Sequence, residues 1–86
     1  VTPADRIAIG DRIDRRMGEL GITREQFRRD LGYEYVRQHQ WIRGERTPNA
    51  GSLIRICRYL KVSADEILGL DTIAMPEPRF RGGVGA

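Results

Sequence analysis

The apolar spacing predicts an all-α fold of five helices, and three observations carry that prediction. Apolar residues recur at intervals of three and four between residues 3 and 70, and no stretch reads as a strand. Helix-capping residues stand ahead of these runs. Glycines stand after most of them. A chain of 86 residues is too short for two independent cores. One domain over 3–70, followed by a flexible tail over 71–86, is therefore the expectation.

The elements follow in order. Thr2-Pro3-Ala4-Asp5 offers an N-cap, a proline at the first helical position and an acid in the first turn. Ile9, Ile13, Met17 and Leu20 then form one apolar stripe, and Gly21 ends the helix. Thr23 and Gln26 have the spacing of a capping box, and Ile22 and Phe27 that of a hydrophobic staple. They open a second helix over roughly 24–31, with Phe27 and Leu31 on its buried side and Gly32 as its stop. A third helix, over about 34–42, has no good cap and a weaker apolar face. Gly44-Glu45-Arg46-Thr47-Pro48-Asn49 reads as a turn. Leu53, Ile56, Cys57 and Leu60 define the fourth helix. Val62-Ser63-Ala64-Asp65-Glu66-Ile67 repeats the box and staple and opens a short fifth helix that ends near Gly69. Beyond Leu70 the periodicity stops, and Pro76 and Pro78 interrupt any helix.

Composition narrows the class. With 40% hydrophobic and 31% charged residues, the chain reads as a soluble folding domain. The net charge is only +3, but of the 15 basic residues all except Lys61 are arginine. Residues 1–60 carry a net +4 and residues 61–86 a net −1. Arginine suits bidentate phosphate and base contacts, although GC-rich coding would enrich it equally. A single cysteine excludes an internal disulfide framework and a cysteine-based zinc site. No apolar run approaches the ~18 residues of a membrane span, and the arginine-studded start does not read as a signal peptide. A cytoplasmic location with no membrane partner is expected.

Two short helices meeting at Gly32, the second followed by Trp41 and a glycine-containing turn, have the spacing of a helix-turn-helix. The sequence here resembles the lambda-repressor-like helix-turn-helix domains of phage and bacterial regulators, the Xre/Cro type. The likeness runs ungapped from about Ile9 to Leu70. Its anchors are Gly10, Ile13, Gly21-Ile22-Thr23, Leu31-Gly32, Trp41, Arg43-Gly44, Pro48, Leu53, Leu60, Val62-Ser63 and Asp65-Glu66-Ile67-Leu68.

Three departures stand out. Arg28 occupies the place of a small residue where the two helices cross, and Gln38 that of an aliphatic one. Either side chain buried without a partner costs several kcal/mol, so the two are expected to pair or to hold the helices slightly apart. Met17 and Ile42 replace a buried Arg–Glu pair found in many family members. That exchange is often neutral or stabilising, and it predicts direct packing between them.

At about 100° per residue, the inner arc of helix three contains Glu34, Tyr35, Gln38, Trp41 and Ile42. The outer arc contains Val36, Arg37, His39, Gln40 and Arg43. Gln can pair with adenine, Arg with guanine or phosphate, and Val can touch a thymine methyl. The resemblance places base contacts at Tyr35, Val36, His39 and Gln40. With Arg37 they form the candidate base-reading set, and a plain solvated helix face is the rival reading. Arg24 stands at the start of helix two, where the family commonly has a DNA-contacting glutamine. With Arg43, Arg46 and Thr47 it forms the candidate phosphate-binding set, against which an ordinary polar surface is weighed.

Other chemistry is poorly supported. His39 has no partner at metal-site spacing, and Cys57 falls on an apolar stripe as a buried thiol. One Arg81-Gly82-Gly83 copy is a weak nucleic-acid signal. No phosphate loop, nucleophile–base pair or paired-acid constellation occurs, so neither catalysis nor a cofactor is expected. The resulting expectation is a DNA-binding transcriptional regulator, a phage or bacterial repressor, acting as a homodimer on double-stranded DNA. Two alternatives remain on the same fold. One is an antitoxin that engages a protein partner through residues 71–86, and the other is a protein-interaction module without DNA readout.

Overall fold

The computed structural model describes residues 1–70; the expected tail, 71–86, lies outside the described residues. Five helices account for the fold: α1 Pro3–Leu20, α2 Arg24–Leu31, α3 Tyr35–Arg43, α4 Ala50–Leu60 and α5 Ala64–Leu68. No strand occurs among the described residues. Helix α3 starts one residue later than its spacing predicts, because Glu34 is its N-cap, and a cap without a side-chain hydrogen bond.

The caps differ in detail from the sequence expectation. The reciprocal capping box forms at α1, where the Thr2 hydroxyl accepts from the Asp5 N–H and the Asp5 carboxylate accepts from that of Thr2. At α2 and α5 only the forward half forms. The Thr23 and Ser63 hydroxyls accept from the N–H groups of Gln26 and Glu66. Both ends are exposed, so water can replace the return bond at little cost. Asn49 caps α4 through the Ser52 N–H at 2.8 Å.

The core draws on every helix: Ile9, Ile13 and Met17 from α1, Phe27 from α2, Trp41 from α3, Ile56, Cys57 and Leu60 from α4, and Ile67 from α5. Leu20 leaves the predicted stripe and is exposed, since α1 ends there and the chain turns away at Gly21. An aromatic chain knits α2, α3 and α4. Phe27 meets Tyr59 edge-on at 5.7 Å, and Tyr33 meets Trp41 edge-on at 4.8 Å. The Tyr59 hydroxyl donates to Asp30. Burial, reinforced by that bond, pushes the phenol up to about 12. Burial also pushes the Cys57 thiol up, which keeps it protonated and inert.

Two glycines seat α3 on α1. A Cβ at Gly10 would lie 2.6 Å from the Ile42 carbonyl oxygen, and closer still to that of Trp41. Gly44, with φ +78°, rests against the backbone of Ile7. The crossing point is therefore Gly10. Met17 joins the core, and Ile42 is half-buried with its backbone carbonyl against Gly10.

Arginines tie the remaining helix ends together. Arg6 donates to the Gly44 carbonyl at the end of α3, and Arg12 to the Ile67 carbonyl in α5. Arg16 donates to the carbonyls of Leu60 and Lys61 at the end of α4. Arg55 reaches the Leu31 carbonyl at the end of α2 at 2.6 Å. Each places a cation on the negative end of another helix and occupies carbonyls that have no partner within it. A share of the arginine excess is thus structural, a third reading beside phosphate contact and codon bias.

Candidate nucleic-acid interface

Helix α3 is held by one side. Gln38 and Trp41 are buried, and Gln38, only 2% exposed, donates its Nε2 hydrogen to the Arg24 carbonyl at 2.9 Å. That carbonyl lies in the first turn of α2 and has a second lone pair to offer. The buried Gln is therefore satisfied by backbone, without Arg28. This bond sets α3 against the start of α2 and removes the packing conflict expected at position 38.

Arg28 takes a different course. Its Nε is buried without a hydrogen-bond partner, and its guanidinium lies over the Tyr35 ring at 5.4 Å. The cation–π contact offsets part of that loss. Tyr35 in turn stacks on His39, one turn along α3, with centroids 5.3 Å apart and planes 15° from parallel.

The opposite side of α3 is open. Tyr35 is 59% exposed and Val36 60%, and Arg37 is exposed as well. His39 and Gln40 are half-buried. Tyr35, at the border of the two arcs by angle, sits on the outer face because it occupies the first position of α3, beyond the body of the core. All five candidate base-reading residues share one helix about 13 Å long, which spans roughly four base-pair steps of ~3.4 Å.

The candidate phosphate residues lie at the flanks of this face. Arg24 is the first residue of α2 and is already engaged: its Nε and Nη2 donate to the two Asp14 oxygens at 3.3 and 3.2 Å. Arg43, the last residue of α3, pairs loosely with Glu45 at 3.5 Å. The Arg46 N–H donates to the Gln40 carbonyl, and its side chain is exposed. Thr47 is half-buried in the same turn. Asp14 and Arg28 were not among the sequence candidates. No spacing rule links residues 14 and 24, whose side chains meet across the turn at Gly21. Arg28 showed itself as a departure in residue type, but its place under Tyr35 depends on the helix crossing.

A short helix, a glycine turn and a second helix whose outer face is free make this a helix-turn-helix domain. The family model of the Cro/C1-type HTH DNA-binding domain matches residues 12–72, and the chain belongs to that family. Among curated proteins and among solved structures, none matches. No helix among the described residues is long and apolar enough to cross a membrane.

Proposed function

We propose that the protein is a sequence-specific regulator of transcription that binds double-stranded DNA as a homodimer, with α3 in the major groove. The observation that carries this reading is the two-sidedness of α3. Gln38 and Trp41 lock one side into the fold, while Tyr35, Val36 and Arg37 face outward. A solvated helix face gains nothing from an exposed valine beside an exposed tyrosine, whereas a groove-reading face does, through thymine methyls and sugar edges. Tyr35, Val36, Arg37, His39 and Gln40 read base edges in this account. Arg24, Arg43, Arg46 and Thr47 hold the backbone on either side.

One nine-residue helix reads too few base pairs to define a site, and a twofold pair on two half-sites doubles the readout. Occupying a promoter represses it, and repression is the mode of regulation proposed. The interaction-module alternative keeps only Arg28 as its motive, because Gln38 is satisfied within the helix pair while the Arg28 Nε is buried without a hydrogen-bond partner. Selection of bound sites from random duplex DNA tests the proposal. A roughly palindromic consensus is expected, with Gln40→Ala losing about 1–3 kcal/mol on it and relaxing preference at one base pair. Equal loss on consensus and random DNA would refute base reading by Gln40.

A further inference from the structure

Asp14 stands on α1, outside the helix-turn-helix, and yet it holds the side chain at the start of α2. Its carboxylate accepts from both Nε and Nη2 of Arg24, a two-point match of planar donors to planar acceptors. Both partners are substantially open to water, with side-chain exposures of 52% for Arg24 and 42% for Asp14. The pair is the bidentate geometry that a guanidinium offers to a phosphate, with a carboxylate in the anion's place.

We propose that Asp14 is an internal competitor for DNA phosphate that sets the affinity of the interface by occupying Arg24. The inference rests on the DNA-binding reading above. A phosphate approaching the Nε–Nη2 edge has to displace the carboxylate. One approaching the remaining edge meets a guanidinium whose charge is already neutralised. Asp14 opposes binding by either route. Exposed ion pairs of this kind are weak and exchange readily with solvent, so the competitor lowers affinity without blocking the site. It also removes Arg24 from the count of cations available to phosphate, which flattens the salt dependence of binding. A carboxylate that instead steadied Arg24 for the phosphate would act in the opposite direction, so the sign of the effect decides between the two roles.

The experiment titrates random-sequence duplex DNA across a range of salt concentrations with the full chain and four variants. Asp14→Asn keeps the side-chain size and removes the charge. Glu25→Gln removes an equal charge from the neighbour of Arg24, a residue that makes no ion pair among the described residues. Asp14→Asn is expected to bind about three- to tenfold more tightly at low salt, with a salt slope steeper by up to about one unit. Glu25→Gln should change affinity much less. Arg24→Ala, and Arg24→Ala combined with Asp14→Asn, should bind equally, since without Arg24 there is nothing to compete for. Weaker binding by Asp14→Asn, an unchanged affinity, or a gain that persists without Arg24 overturns the proposal. Wild-type protein with no salt-dependent binding at all overturns the DNA-binding reading itself, an outcome separate from a wild type that binds and an Asp14 variant that matches it.

Discussion

The seam along α1 and the open face of α3 use arginine in opposite ways. Arg6, Arg12 and Arg16 on α1, with Arg55 on α4, spend their N–H groups on backbone carbonyls at the ends of other helices. Those carbonyls cannot leave, and the bonds close contacts between residues far apart in sequence. On the α2–α3 side, Arg24 and Arg43 hold only exposed carboxylates, and Arg37 and Arg46 are exposed. One group of arginines contributes to the fold. The other is kept where exchange with an outside anion is cheap. Residue type alone does not separate them; the partner atom does.

The largest test of this division lies in α1 itself. Gly10→Ala drives a Cβ into the carbonyls of Trp41 and Ile42, backbone atoms that cannot yield without lifting α3. A loss of about 3 kcal/mol in denaturant unfolding is expected, despite the better helix propensity of alanine. At Gly18 a Cβ meets nothing within 4 Å, so Gly18→Ala should stabilise by up to about 1 kcal/mol. Similar values for the two would mean that α3 is not seated at Gly10.

Next in size is a matched pair of arginines. Arg16→Ala leaves the Leu60 and Lys61 carbonyls without their donor and should cost about 1–2 kcal/mol of stability. Arg46→Ala should change stability by no more than about 0.5 kcal/mol. On the proposed reading it weakens binding to every DNA sequence and flattens the salt slope by about one unit. Reversed roles for these two residues would collapse the comparison.

A smaller effect belongs to Lys61, the only non-glycine residue among residues 1–70 with positive φ, at 54°. It ends α4 where other helices use glycine. Lys61→Gly relieves the left-handed strain at some cost in unfolded-chain entropy, for a net gain of about 0.5–1 kcal/mol in thermal or chemical unfolding. A loss of stability would show that the lysine side chain has a role at the seam.

The smallest effect is one of pH. The folded state holds the Tyr59 proton above its ordinary value of 10, up to about 12. Its stabilising contribution is thus complete below pH 10 and is lost as pH rises through 12. Tyr59→Phe should show a shallower fall in melting temperature across that window than the wild type. An identical fall in both would place the alkaline transition on other groups.

Local signals made most of the fold legible. Thr2, Thr23, Ser63 and the glycines after the helices act within one turn of backbone, so their spacing carries their meaning. The stripe Ile9–Ile13–Met17 was readable for the same reason: a helix repeats on itself. Tyr35 falls at the border between the two arcs of α3, and the angle leaves its side open because it says nothing of where the neighbouring core ends. Gly10 could be seen only as an anchor of resemblance, since its cause is an approach by α3 from more than thirty residues away.

Five helices, their stops at Gly21, Gly32 and Gly69 and the exposure of Val36 and Arg37 were thus determined by the sequence itself, through interactions spanning no more than about four residues. Tertiary structure alone decided which arginines close the fold, that Gln38 finds the Arg24 carbonyl, and that Asp14 takes the guanidinium beside the candidate interface. The reason is geometric. Each of those contacts joins atoms on different helices, and helix crossing angles are set by the packing of the whole core, which no local spacing encodes.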